Sequence, residues 1–196
     1  ARLGIRRERD AALLGVLAAQ GVEARFVDRD IAPIEAGDLD NLAEIFSDPD
    51  VMHYLPAGEP ISRERANVAL ARWLEHWKRH GYGFWAVLHK PERHMIGYCG
   101  LVHLEDGPEV ELAYGFRKPF WGQGLATEAG RACLWYGFQK LGMKRIVGIT
   151  ALGNRASQRV LAKLGLQYEK EGHFYNMTCC YFSIEQGHPA RSQSTT

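Results

Sequence analysis

The chain has 196 residues, 46% hydrophobic and 24% charged, and a net charge of +1 from 24 Lys and Arg against 23 Asp and Glu. The length fits one domain with enough apolar material for a core, and the composition argues against wholesale disorder. The near-neutral balance removes the main electrostatic reason to expect a nucleic-acid binder, and the longest apolar run, Ala11 to Ala19, is too short for a transmembrane helix.

In chain order, residues 1–23 read as an N-terminal extension. Arg6, Arg7 and Arg9 before AALLGVLAA faintly mimic a secretory leader, but Asp10 interrupts the boundary and no clear cleavage site follows, so a small helical extension is expected. Phe26 to Ile34 reads as a first strand. Glu35 to Phe46 reads as a helix, with Leu39, Leu42, Ile45 and Phe46 at helical spacing, stopped by SDPD at Ser47 to Asp50. Ser62 to His80 is the strongest early helix: Ala66, Leu70, Trp73, Leu74 and Trp77 share a face, Ser62 suits the N-cap, and Gly81 sits where a C-terminal cap belongs. Three strands follow as a meander: Phe84 to His89, Met95 to His103 and Glu109 to Phe116, joined at KPER (Lys90 to Arg93) and EDGP (Glu105 to Pro108). Leu125 to Leu141 is helical, Arg145 to Thr150 a short strand, and Asn154 to Leu164 a helix ended by Gly165. Gln167 to Glu171 and Cys179 to Glu185 close the domain as paired strands, and the polar tail from Gly187 is expected to lack structure. The order βααβββαβαββ implies a mixed α/β (α+β) domain over residues 24–186, with 187–196 as a tail.

The chemistry concentrates in VELAYGFRKPFWGQGLATEAG, Val110 to Gly130, where a strand runs into a glycine-containing turn that opens a helix. Backbone N–H groups at a helix N-terminus lack intrahelical acceptors and, with the helix dipole, form an anion site. Gly122 and Gly124 permit close backbone approach, so a phosphate or pyrophosphate ligand is suggested beside the plainer reading of a capping turn with no ligand. A P-loop would need Gly-Lys-Ser/Thr, which is absent, and a dinucleotide fingerprint would need a third glycine where Thr127 stands.

Four segments in order, DPDVMHYL (Asp48 to Leu55), FWAVLHKPERHMIGYCGL (Phe84 to Leu101), VELAYGFRKPFWGQGLATEA and GNRASQRVLAKLGL (Gly153 to Leu166), resemble the GNAT superfamily of acetyl-CoA-dependent N-acetyltransferases. The likeness leans to the branch containing the ribosomal-protein-alanine N-acetyltransferases. It implies a GNAT fold: a single mixed, mostly antiparallel sheet flanked by helices, splayed between the fourth and fifth strands. It also implies acetyl-CoA as cosubstrate. The family's pyrophosphate loop, Arg/Gln-x-x-Gly-x-Gly/Ala, aligns with Trp121, Gly122, Gln123, Gly124, Leu125 and Ala126, with Trp121 in place of the usual Arg or Gln. By resemblance, amides from Gln123 to Thr127 hold the pyrophosphate, the pantetheine arm pairs like an added strand near Tyr114 and Phe116, and Asn154 helps hold the cofactor. Arg117, Lys118 and Arg155 are further phosphate candidates, or ordinary solvated charge.

Amide formation needs a neutral amine, a donor for the tetrahedral oxyanion and a proton for the leaving thiolate. Strand alternation puts Glu111, Ala113 and Gly115 on one face and Val110, Leu112, Tyr114 and Phe116 on the other. Glu111 is therefore a carboxylate among small residues where a substrate could enter, a base by resemblance or else a structural carboxylate. Where many relatives carry a Tyr acid this chain has Leu161, so Ser157, one turn after Asn154, is the candidate acid, with Tyr168 and Tyr175 as alternative donors. No metal is expected: His76 and His80 share a helix face, but no Glu follows His76 and the other histidines form no ligand pattern. Cys99, Cys133, Cys179 and Cys180 have no disulfide or zinc spacing and read as buried small residues of a cytoplasmic protein. Trp73, Trp77, Phe84, Trp85 and His53 either line the acceptor side or pack the core. The acceptor is an amine, on a peptide N-terminus or a small molecule, with no nucleic-acid or membrane partner and a monomer or homodimer as assembly. A non-catalytic acyl-CoA sensor is the rival reading.

Overall fold

The computed structural model describes residues 29–89 and 94–187. The N-terminal extension, the start of the first predicted strand at Phe26, the KPER turn and the tail beyond Gly187 lie outside them. Strand β1 (Arg29–Pro33) leads through a 3-10 turn into helix α1 (Leu39–Ser47), because Asp38 accepts from the Glu35 backbone N–H at 2.7 Å and delays the α-helix. The expected stop at SDPD is real but brief. Asp48 accepts from Asp50 N–H at 2.9 Å, Pro49 occupies the first turn it is preorganised for, and a one-turn helix α2 (Pro49–Met52) starts at once.

Helix α3 (Arg63–His80) has the predicted ends: Ser62 accepts from Arg65 N–H at 3.4 Å, and Gly81 closes it at φ 71°. Strands β2 (Phe84–His89), β3 (His94–His103) and β4 (Val110–Phe116) form the predicted meander. Helix α4 (Leu125–Gln139), strand β5 (Arg145–Ala151) and helix α5 (Arg155–Lys163) follow. The closing strands, β6 (Gln167–Phe174) and β7 (Met177–Glu185), run longer than their composition suggests. They meet at Tyr175–Asn176, both at positive φ (53° and 60°), a two-residue turn matching the twist of a hairpin.

Among the described residues these strands form one seven-stranded sheet in the order β1-β2-β3-β4-β5-β7-β6. All neighbours pair antiparallel except β4 and β5, which are parallel and register only at Glu111 opposite Val147. The expected splay is therefore present, and it follows that single contact. Helices α4 and α5 cover one face, where Leu112, Phe116, Ala129, Cys133, Ile146 and Leu161 pack. Helices α1 to α3 cover the other, over Leu42, Ile45, Ala66, Leu70, Ala86 and Met95. A Cβ at Gly148 would meet Leu161 Cδ2 at 2.6 Å, so the glycine lets the Leu161 side chain of α5 pack directly onto β5. All four cysteines are unbridged and buried, as expected, with Cys99 and Cys133 Sγ atoms 3.5 Å apart between β3 and α4.

Candidate active site

The splay opens between two chain reversals. The segment leaving β4 turns through Gly122 and Gly124, both in the left-handed region (φ 75° and 83°), and Gly124 caps α4. The first bond of that helix runs from Glu128 N–H to Gly124 O at 3.0 Å. By helix geometry the amides of Leu125, Ala126 and Thr127 have no intrahelical acceptor. Gly122, Gln123 and Gly124 are exposed, whereas Leu125 and Thr127 bury their side chains and fix the turn.

Trp121 has a role the sequence did not suggest. Its indole N–H donates to Phe116 O at 2.6 Å while the ring stays 45% exposed, so it fastens the loop to the end of β4. Gln123 Nε2 adds a bond to Pro119 O at 3.0 Å. Phe116, itself buried, thus presents a carbonyl already holding a donor, and Tyr114 lies two residues back along the splayed strand.

Glu111 sits at the vertex of the splay and is only 5% exposed. Its Oε2 accepts from the Tyr175 hydroxyl at 2.5 Å. Burial dominates its electrostatics and raises the carboxyl to about 7; the Tyr175 hydroxyl and the Ile149 backbone oppose the shift, and Glu105 adds to it. Tyr175 is delivered by the turn between β6 and β7, where its backbone N–H donates to Glu105 Oε1 at 2.6 Å. A bulky residue at positive φ is strained, and that strain is held where Tyr175 meets the buried carboxylate. Tyr168, the other alternative donor, is 53% exposed against Phe182 on the outer strand.

Across the splay, Asn154 caps α5 by accepting from Ser157 N–H at 3.0 Å. The Ser157 hydroxyl lies 2.8 Å from the Tyr114 hydroxyl, so β4 and α5 are bridged by two hydroxyls. Burial pushes the Tyr114 phenol up, against the Ser157 hydrogen bond, and it stays protonated at neutral pH. Tyr114 therefore contributes a side chain as well as the main chain expected of it.

Other candidates are otherwise engaged. Arg117 pairs with Glu44, Lys118 with Asp50 at 2.5 Å, and Arg155 donates to Gln158 Oε1 at 3.0 Å. The aromatics belong to the packing: Trp73 lies 4.1 Å from Phe84 and Trp77 5.3 Å from Trp85, ring to ring, and the Trp77 indole donates to Phe84 O at 2.7 Å. His53 stacks edge-on with Tyr54, whose ring approaches the turn at Gly153. Nothing in residue spacing joins His103 to His76 and His80, yet all three lie together.

The chain matches the Acetyltransferase (GNAT) domain family over residues 30–167. It is 34% identical over 129 residues to the uncharacterized protein YkkB of Bacillus subtilis, covering 64% of this chain and 73% of that one. It is 32% identical over 129 residues to the FsC-acetyl coenzyme A-N(2)-transacetylase of Aspergillus fumigatus, covering 62% of this chain and 54% of that one. In structure it is similar to a GNAT-family acetyltransferase from Bacillus anthracis, with a TM-score of 0.67 and 25% identity over 81% of this chain and 95% of that one. A family match across most of the chain, on a sheet splayed at the expected strands, has one meaning: this protein belongs to the GNAT acetyltransferases, enzymes of acetyl-CoA-dependent N-acetylation.

Proposed function

We propose that residues 24–186 form a catalytic unit that transfers an acetyl group from acetyl-CoA to a primary amine, on a protein N-terminus or a small molecule. The amine attacks the thioester directly. Amides of Gln123 to Thr127 hold the pyrophosphate, and Tyr114, Phe116, Trp121, Gly122 and Asn154 set the rest of the cofactor site. Acetyl-CoA lies in the splay with its thioester near Glu111. Glu111 takes the proton from the acceptor ammonium and so frees the neutral amine to attack, and Ser157, backed by the Tyr114 hydroxyl, gives one to the departing thiolate.

The observation that carries this reading is the buried Glu111 carboxyl, raised to about 7 at the vertex of the splay. A base is most useful when its pKa lies near the working pH. The same value favours an α-amine: an ammonium of pKa about 8 lies about one unit above this base, whereas a Lys ammonium at about 10.4 lies more than three above. The difference is about 3 kcal/mol of proton-transfer driving force, at about 1.4 kcal/mol per unit.

Thiol release from acetyl-CoA, measured against a panel of peptide α-amines, Lys side chains and small amines, tests the reading. Turnover is expected, with α-amines ahead of Lys. Acetyl-CoA binding without turnover on any amine would support the sensor reading instead.

Tyr175 is a positioning residue that lowers the pKa of Glu111. With Tyr175→Phe that donor is gone, and more Glu111 is protonated at a given pH. The acid limb of the kcat/KM profile is expected to move upward by about 1–2 pH units, the size of a hydrogen bond to a charged group. An unmoved limb would detach Tyr175 from the base.

A further inference from the structure

The histidines at the far end of α3 form a cluster that acetyl transfer does not use. His76 and His80 are one helical turn apart and share a face of α3. Gly81 reverses the chain into β2, and β3 runs antiparallel to β2 with Phe84 opposite Gly100. The end of β3 therefore passes beside the end of α3 and brings His103 against both histidines. The ring centroids of His103 lie 4.5 Å from His80 and 5.6 Å from His76. One ligand nitrogen from each of the three imidazoles falls within 4.8 Å of the others.

The surrounding bonds orient two of the rings. His76 Nδ1 lies 2.9 Å from Tyr82 O, and His103 Nδ1 lies 2.8 Å from Gly107 O. A carbonyl oxygen only accepts, so each ring carries its proton on Nδ1 and leaves a lone pair on Nε2. Backbone carbonyls play this part behind the imidazoles of metal sites, where they fix tautomer and ring direction. The two Nε2 atoms now hold replaceable partners: His103 Nε2 meets the Tyr82 hydroxyl at 3.1 Å, and His76 Nε2 accepts a long bond from His103 N–H at 3.3 Å. His80 is exposed at the helix end, so its ring can turn inward.

We propose that His76, His80 and His103 bind one divalent transition-metal ion of the zinc class. Bonds of about 2.0–2.1 Å to imidazole nitrogen bring ligand atoms to about 3.4 Å apart in a tetrahedron, a contraction that side-chain rotation can supply. Three neutral nitrogens suit Zn²⁺, Ni²⁺ or Cu²⁺ and do not suit the oxygen-seeking Mg²⁺ or Ca²⁺. Water or the neighbouring Tyr82 hydroxyl completes the coordination. The ion ties the last turn of α3 to the end of β3, adding to the ring contacts and the long hydrogen bond that already join them. Its function is structural, and it holds whether or not the acetyl-transfer mechanism proposed above is right.

The test uses the full chain stripped with a chelator and titrated calorimetrically with ZnCl₂ alone, beside thermal unfolding. Saturable 1:1 binding is expected, with Tm raised by about 5–10 °C at a hundredfold excess over Kd. His103→Gln and His80→Asn should each weaken binding at least tenfold. His80→Asn changes only an exposed ring, so its result stands even if His103→Gln folds poorly. Co²⁺ bound to the wild-type chain should give the intense visible bands of a four-coordinate ion, reduced in His80→Asn. No saturable binding, or Zn²⁺ affinity unchanged in His80→Asn, would overturn the site.

Discussion

Glu111→Gln is expected to slow acetyl transfer by about 10²–10⁴-fold, the usual contribution of a general base, with little loss of acetyl-CoA affinity. The same variant should be more stable than the wild type above neutral pH. The folded carboxyl is raised from 4.5 to about 7, so between these values the folded protein holds a proton that the unfolded chain has released. Stability therefore falls as pH rises through that window, and above it an ionised buried carboxylate costs about 3 kcal/mol. Glutamine occupies the same space and still accepts from Tyr175, without the charge. Its Tm should exceed that of the wild type by on the order of 5–10 °C at pH 8, and the gap should close near pH 4. Thermal unfolding across pH and steady-state kinetics read the two effects separately. A wild-type rate in Glu111→Gln would remove this residue from the mechanism, and equal Tm values at pH 8 would contradict the buried charge.

Gly124→Val is expected to weaken acetyl-CoA binding by on the order of 10²–10³-fold through the loss of one or two charge-assisted amide bonds, while left-handed backbone strain of about 1–2 kcal/mol falls on the free and the bound chain alike. No protein atom lies within 4 Å of where its Cβ would stand, and the backbone is at φ 83°. The side chain would therefore project into the space proposed for pyrophosphate and collide with nothing in the protein itself. This separates the ligand effect from a folding defect: the Tm of the free chain should fall only modestly while calorimetric affinity for CoA collapses. Gly124→Ala, smaller but equally misplaced at positive φ, should fall between. Unchanged affinity in the valine variant would move the pyrophosphate site elsewhere.

Local rules were enough for most elements. Ser62 and Gly81 delimit α3 because capping is decided within a few residues. The alternation along β4 separates Glu111 from Leu112 and Phe116 because side chains on a strand point to opposite faces. The errors come where a turn competes with a helix or a pair of strands supports itself. Asp38 and Pro49 divide a helical region that hydrophobic spacing reads as one helix and a stop. Strands β6 and β7 extend to Tyr175–Asn176 because each supplies the other's hydrogen bonds, which a single strand's composition cannot reveal.

The sequence by itself determined the order of elements apart from the one-turn helix α2, which it read as a stop, together with the glycine turn before α4 and the presence of a carboxylate on β4. Each depends on periodicity or on neighbouring residues. Only the tertiary structure decided what stands beside that carboxylate. Tyr175 reaches Glu111, Ser157 meets Tyr114, and His103 joins His76 and His80 through sheet pairing and chain reversal. Such contacts depend on long-range register, and the electrostatics follow from it: the shift of Glu111 is set chiefly by the burial that the folded sheet and helices impose.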